Sequence, residues 1–280
     1  MSLSTPQDRY INAGNIKTRY WSIGDKGSTV LLLHGLGASA EVWLPNIEAL
    51  AKNHRVLIPD LAGFGRSGQP SPAFSPLDYT SIIDDFLKAL NIKKASIIGH
   101  SLGGGIALHY ALQFSPKVEK LVLVDCAGFG KEVIWSLRLM SLPLIGELIS
   151  YPSRKGVELF FKLAVNNPEV ITRDFVDIYY ELFNRPGFQT FLLKLTRMLV
   201  NVRCANPELL APILGSLRKI KRPTLIVWGR KDRVFPLQHA HYGKKEMANA
   251  ELCIMDQCGH IPNLERPEEF NRIVLDFLAA

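Results

Sequence analysis

Short unbroken apolar runs recur along the chain at Thr29-Val30-Leu31-Leu32-Leu33, Arg55-Val56-Leu57-Ile58, Ala95-Ser96-Ile97-Ile98, Lys120-Leu121-Val122-Leu123-Val124 and Thr224-Leu225-Ile226-Val227-Trp228. A strand with one wet face alternates apolar and polar residues, so runs without alternation predict strands covered on both faces, as in a parallel sheet. Helical patterns separate them over Ala40 to Ala51, Leu77 to Leu90 after a Ser75-Pro76 start, and Leu102 to Phe114. Strand and helix in alternation predict a doubly wound α/β domain. A last strand is expected over Glu251 to Met255, and Pro267-Glu268-Glu269 opens a final helix, with proline at the first helical position and acids at the positive dipole end. The region from Asn15 to Ile23 reads as antiparallel edge strands.

The strand rhythm stops near Gly130 and resumes at Arg222-Pro223-Thr224, with helical stretches between, such as Val157 to Val165, Arg173 to Phe183 and Phe191 to Val202. An insertion that returns to the same sheet is expected to form a helical cap over the carboxyl ends of the strands, where α/β sheets put their ligand sites. The expected division is a core of residues 1–129 and 207–280 with a cap (lid) of residues 130–206. The most apolar cap stretch, Ile134 to Ile145, is interrupted at Arg138 and Pro143, which rules it out as a membrane span. Packing against the main domain is expected for most of its residues, with an apolar substrate wall or a mobile lid as the other roles.

A chain of 280 residues, 47% hydrophobic and 21% charged, can bury a large core, so disorder and fibrous repeats are excluded. The formal charge of +7 arises from Lys and Arg scattered in ones and twos (Lys93-Lys94, Arg154-Lys155, Lys244-Lys245), which gives a solvated basic surface rather than a nucleic-acid footprint. Mild attraction to anionic substrates or membrane surfaces is a lesser reading. The start from Met1 to Arg9 shows no basic segment followed by an apolar core, so a cytoplasmic location is expected. Cys126, Cys204, Cys253 and Cys258 have neither disulfide-framework density nor zinc-site spacing and are expected to be reduced and structural. No metal cluster or phosphate-cradling loop is visible, and no cofactor is expected. The expected partner is a small-molecule substrate, without nucleic acid or stable membrane insertion; the oligomeric state is not legible.

The chemistry concentrates at Gly99-His100-Ser101-Leu102-Gly103, between an apolar strand and a helical pattern. A serine at such a sharp turn is held in a strained conformation that needs small neighbours, and it sits at a helix N-terminus where backbone N–H groups can stabilise negative charge. A serine hydroxyl is a weak nucleophile until a base takes its proton, and the base needs an orienting acid. Asp232 and His260 occupy loops just beyond apolar strands, on the same expected sheet edge as Ser101. Asp125, ending the strand after the elbow, competes with Asp232 as the acid; Asp256 lies too close to its strand. His100 is expected to point away from the nucleophile and to pack or touch the cap. His34 is expected to support the neighbouring loop by hydrogen bonding, and His54, His109, His239 and His241 to be structural or solvated.

At these residues the chain resembles the α/β-hydrolase superfamily over nearly its whole length. The motifs fall in register: His34-Gly35-Leu36-Gly37, Asp60-Leu61-Ala62-Gly63-Phe64-Gly65-Arg66-Ser67, the elbow at Ser101, then the Asp232 and His260 loops. The resemblance implies an α/β-hydrolase fold with Ser101 as nucleophile, His260 as general base and then acid, and Asp232 as its orienting partner. It also implies an oxyanion hole from the backbone amides of Leu36 and Leu102, and a supporting role for Asp60 and Arg66.

A serine at the elbow disfavours branches of the superfamily that use aspartate there, and hydrolysis of a carboxylic ester of a small or medium, largely apolar substrate is the simplest expectation. The alternative is a C–C bond hydrolase of meta-cleavage dienone products, whose members resemble this chain in motif order and cap. Two departures count against it: those enzymes usually carry Asn where this chain has His100, and Trp where it has Ile261. Arg138, Arg154, Arg173, Arg185 and Arg197 are candidate partners for a substrate carboxylate. A third reading is a non-catalytic ligand-binding protein on the same scaffold.

Overall fold

The computed structural model describes residues 5–280, so the first four residues of the Met1–Arg9 start lie outside the described residues. Eight strands form one sheet: β1 (Arg9–Ala13), β2 (Ile16–Ile23), β3 (Thr29–Leu33), β4 (Arg55–Pro59), β5 (Ala95–His100), β6 (Val118–Val124), β7 (Thr224–Gly229) and β8 (Ala250–Met255). Their spatial order is β1-β2-β4-β3-β5-β6-β7-β8; β2 runs antiparallel to both its neighbours, β1 and β4, and all the other pairings are parallel. Every residue of β5 and β7 is buried, as their lack of polar alternation requires. The switch in strand order between β3 and β5 opens a crevice at the carboxyl ends, beside the elbow.

The helices are α1 (Leu44–Ala51), α2 (Asp78–Ala89), α3 (Leu102–Gln113), α4 (Trp135–Met140), α5 (Ile145–Ile149), α6 (Arg154–Lys162), α7 (Arg173–Phe183), α8 (Phe188–Leu199), α9 (Pro207–Leu214), α10 (Gln238–Glu246), α11 (Pro262–Glu265) and α12 (Pro267–Ala279). The helix expected over Ala40 to Ala51 is split: a 3-10 turn spans Ala40–Trp43 and α1 begins at Leu44, because Pro45 lacks an N–H and is accommodated only in a first turn. The edge extends further than expected, since β1 adds to the Asn15 to Ile23 region.

All of α4 to α9 fall between β6 and β7. Residues of α6, α7 and α8 build an aromatic cluster (Phe161 to Tyr179, 4.5 Å between rings; Phe183 to Phe188, 4.4 Å) that continues onto Phe64 in the loop after β4 (Phe64 to Phe191, 5.4 Å). These rings are large apolar surfaces, and burying them holds this segment against the carboxyl edge of the sheet.

Candidate active site

Ser101 carries φ +54° and ψ −114°, a conformation that a side-chain-bearing residue holds only when its surroundings enforce it. The enforcement is visible. Its N–H donates to the Val124 carbonyl at 2.9 Å, and its own carbonyl accepts from Gly105 and Ala127, both at 3.1 Å. A Cβ on Gly99 would fall 2.3 Å from the Gly103 carbonyl oxygen, and one on Gly103 would fall 2.4 Å from that of Leu33. Both obstacles are backbone, so the turn closes only with glycine at these positions.

The structure brings the three candidate catalytic side chains into a chain of hydrogen bonds. Ser101 Oγ lies 2.9 Å from His260 Nε2, and His260 Nδ1 lies 2.9 Å from Asp232 Oδ2. An ionised carboxylate only accepts, so Nδ1 carries the proton and Nε2 is left as acceptor for the serine hydroxyl. Asp232 is fixed in turn, because its Oδ1 accepts the N–H groups of Val234 (2.7 Å) and Phe235 (3.1 Å).

Asp125 also reaches this cluster. It is fully buried, with φ +42°, and its Oδ1 accepts the Gly229 N–H at 3.0 Å. Its Oδ2 receives no hydrogen bond, and Asp125, Asp232 and His260 place oxygen and nitrogen atoms within 4.8 Å of one another. Burial, then the adjacent Asp232 carboxylate, pushes the Asp125 carboxyl well above the usual range. These three residues are the candidate metal-ligand group among the described residues, yet both nitrogens of His260 and both oxygens of Asp232 already have partners.

Leu36 and Leu102 flank the serine. Leu102 opens α3, where first-turn N–H groups have no intrahelical acceptor. Gly35 packs so tightly that a Cβ there would sit 3.1 Å from Ser101 Cβ. His34 braces this loop: its Nε2 accepts the Leu61 N–H at 2.9 Å and its Nδ1 donates to the Gly35 carbonyl at 2.8 Å. Complete burial lowers its pKa to about 4, so it stays neutral. Asp60 ties the same loops together, accepting from the Ala40 N–H (2.8 Å), the Arg66 N–H (2.7 Å) and the buried Arg19 guanidinium (3.1 Å). Arg66 itself pairs with Glu41.

Several placements differ from expectation. His100 does not turn away to the helical segment; its Nε2 meets the His260 carbonyl at 2.7 Å, and its ring lines the cavity over Ser101. His109, half-buried on α3, borders a second cavity. The five candidate carboxylate-binding arginines line neither cavity. Arg138 donates to the Arg203 carbonyl, Arg154 pairs with Asp177, Arg185 donates to the Gly65 carbonyl, Arg197 pairs with Glu147, and Arg173 is exposed.

Sequence patterns gave no sign of what holds His260 from outside. The His260 N–H donates to the Ala164 carbonyl at 2.7 Å, and Glu265 accepts from Gly259 (2.7 Å), Asn166 (2.8 Å) and Asn167 (3.0 Å). The loop carrying the histidine is thus tied to the segment between β6 and β7 by one main-chain bond and by the Glu265 carboxylate, which gathers backbone N–H groups from both.

Two apolar cavities meet at Ser101. The larger, about 210 Å³, runs under α4 and α6 past Leu36, Ile134, Leu137, Phe160 and Ile261. The smaller, about 130 Å³, runs past Leu102, Ile106, Val133, Leu210 and Phe235. The two share Leu36, Ser101 and Leu137, so a substrate with its reacting carbon at Ser101 can extend a group into each.

Comparison with known proteins agrees with this architecture. A 2-hydroxy-6-oxo-6-(2'-aminophenyl)hexa-2,4-dienoic acid hydrolase of Metapseudomonas resinovorans is 30% identical over 279 residues, covering 97% of this chain and 91% of that protein. The solved structure of a meta-cleavage product hydrolase (CumD) from Pseudomonas fluorescens IP01 superposes with a TM-score of 0.82 at 29% identity, covering 97% of both chains. A serine hydrolase from Cycloclasticus zankles gives a TM-score of 0.84 at 26% identity, covering 98% of both. The sequence profile of the alpha/beta hydrolase family matches residues 30–273, and the chain belongs to that family.

Proposed function

We propose that the protein is a serine hydrolase that cleaves carboxylic esters of largely apolar, small or medium substrates through an acyl-enzyme on Ser101. The single observation that carries the substrate class is the lining of the two cavities: apart from the catalytic cluster it is overwhelmingly apolar, with no arginine or lysine to receive a substrate carboxylate. In the proposed reaction His260 Nε2 takes the Ser101 proton as Oγ attacks the acyl carbon, and Asp232 holds the imidazolium that results. The Leu36 and Leu102 amides receive the oxyanion. His260 then protonates the departing alcohol, and a water activated by the same nitrogen releases the acid. The segment over residues 130–206 acts in this reading as the cap that encloses both apolar groups. Free thiols at Cys126, Cys204, Cys253 and Cys258 fit a cytoplasmic location.

A second reading has its own support. The named relatives cleave, by their names, dienoic acid products of ring fission, and their similarity favours C–C bond hydrolysis over ester hydrolysis. Against it stand His100 and Ile261, both lining the Ser101 cavity, where those enzymes usually have Asn and Trp. The deciding experiment is a panel of p-nitrophenyl esters of increasing acyl length beside ring-fission dienones, with the wild type and Ser101→Ala. Ester turnover lost in Ser101→Ala, with the dienone absorbance unchanged, supports the ester reading; dienone bleaching without ester turnover replaces it with the second.

A further inference from the structure

The surface above the larger cavity is unusually apolar for a solvent-facing one. Leu144 is 83% exposed, Leu148 77%, Tyr151 69%, Leu159 59% and Trp135 57%, all from α4 to α6 and their connections. Isolated exposed leucines are ordinary; a run of large ones along three consecutive short elements marks an interaction surface. Trp135, Leu159 and Ile149 are exposed and also line the cavity that contains Ser101. The patch is therefore the rim of the substrate entrance.

Leu144 adds an independent sign. Its backbone has φ +65°, a left-handed conformation that disfavours a branched side chain, and the turn presents that side chain to solvent. Stability of the free protein alone would favour glycine there.

The charges at the rim are uneven. The acids of the stretch are neutralised, Glu147 by Arg197 at 2.8 Å and Glu158 by Lys162 at 2.6 Å. Lys155, one turn before Leu159 on α6, has no carboxylate partner among the described residues. Arg138, one turn after Trp135 on α4, is not comparably free: its Nε is buried and its guanidinium donates to the Arg203 carbonyl.

We propose that this rim docks on an anionic lipid surface, so that lipophilic ester substrates pass from the bilayer into the cavity over Ser101. The proposal rests on the ester reading for its substrate and on the surface alone for the docking. Apolar side chains backed by the exposed, unpaired Lys155 match the boundary between acyl chains and acidic headgroups. A second copy of the chain fits less well, because it would cover the rim of the cavity that holds Ser101. No helix among the described residues is long and apolar enough to cross a membrane, so the contact is peripheral.

The test uses Ser101→Ala protein, so that docking is read without hydrolysis, in co-sedimentation with phosphatidylcholine vesicles with and without about a third phosphatidylglycerol. Stronger partition into the anionic vesicles is expected. Leu144→Asn with Leu148→Gln lowers that partition on the order of a hundredfold, because two leucines no longer enter the acyl boundary. Lys155→Gln lowers it about fivefold on anionic vesicles and leaves the neutral ones unchanged. In the Ser101-containing protein the Leu144/Leu148 variant keeps its turnover of short soluble p-nitrophenyl esters, since neither residue lines the cavities. Its melting temperature is kept, because both side chains are exposed and bury little apolar surface in the free protein.

Protein left in the supernatant with anionic vesicles overturns the proposal, as does unaltered binding by the leucine variant, or a solution dimer that this variant splits. Failure of the ester panel with vesicle binding intact would instead remove the ester reading and leave the docking surface standing.

Discussion

Two buried aspartates stand within reach of His260, and exchanging each for asparagine separates their roles. In Asp232→Asn the Oδ1 position can remain a carbonyl serving the Val234 and Phe235 amides, so the loop keeps its shape. The amide nitrogen then faces His260 Nδ1 at the position now 2.9 Å away, and two donors cannot share that contact. The imidazole answers by moving its proton to Nε2, the atom that must accept from Ser101. A wrong tautomer in an otherwise intact triad costs roughly a thousand- to ten-thousandfold in kcat, which corresponds to about 4 to 5.5 kcal/mol of barrier. Asp125→Asn is different, because Asp125 makes no hydrogen bond to His260 and burial disfavours its charged form, so an amide of the same shape replaces it at little cost. Its carbonyl still accepts the Gly229 N–H, and its NH2 takes the place of Oδ2, which has no partner. Activity within about threefold of wild type is expected. The assay is kcat and KM on the best p-nitrophenyl ester, with urea unfolding to confirm that both variants fold. A large loss in Asp125→Asn together with near-normal turnover in Asp232→Asn would refute the assignment of Asp232 as the orienting acid.

Other consequences are equally open to measurement. His34 refuses a proton until about pH 4 when folded, whereas the unfolded chain takes one near 6.5, so stability is lost as pH falls through that window. From pH 7 to 5 His34 costs about 2 kcal/mol of stability, while Asp60 and Asp125, whose carboxyls burial raises, act in the opposite sense; the effect is therefore read as the difference between wild type and His34→Gln in urea, and equal pH slopes in the two contradict the burial argument. Gly103→Ala forces a methyl against the Leu33 carbonyl, so soluble yield or Tm falls sharply, and wild-type stability and activity would show that the elbow relaxes more freely than its packing implies. Glu265→Gln weakens the bonds to Gly259, Asn166 and Asn167 that hold the His260 loop, and a fall in kcat of about tenfold with little change in KM is expected; a rise in KM alone would place Glu265 in substrate binding instead.

Much of this arrangement is legible in the chain because it is written locally. Unbroken apolar runs mark β3 to β7, and Gly99 and Gly103 announce a turn whose obstacles are backbone atoms, which is why the pattern is strict. β1 escapes notice because Arg9–Ala13 pairs with one neighbour at the sheet edge, and its largely exposed residues carry little apolar signal. The break at Leu44 is local too, since Pro45 encodes it, but periodicity carries through and hides it. What depends on distant chain segments is not legible. His100 finds its acceptor on His260, Ala164 receives the His260 amide, and four arginines between β6 and β7 settle on Asp177, Glu147 or nearby carbonyls rather than facing the cavities. A count of cations along the sequence therefore overstates what the site can offer a carboxylate.

The account depends most on Ser101 being an activated nucleophile rather than a buried serine with good neighbours. A fluorophosphonate reacts only where a serine is activated and an oxyanion site is formed, and the attachment point can be read by peptide mass spectrometry. The account predicts one phosphonyl adduct, on Ser101, formed quickly by the wild type and at least about a thousandfold more slowly by His260→Ala. No adduct on Ser101, or equal labelling of the His260→Ala protein, would contradict it and leave the fold as a binding scaffold.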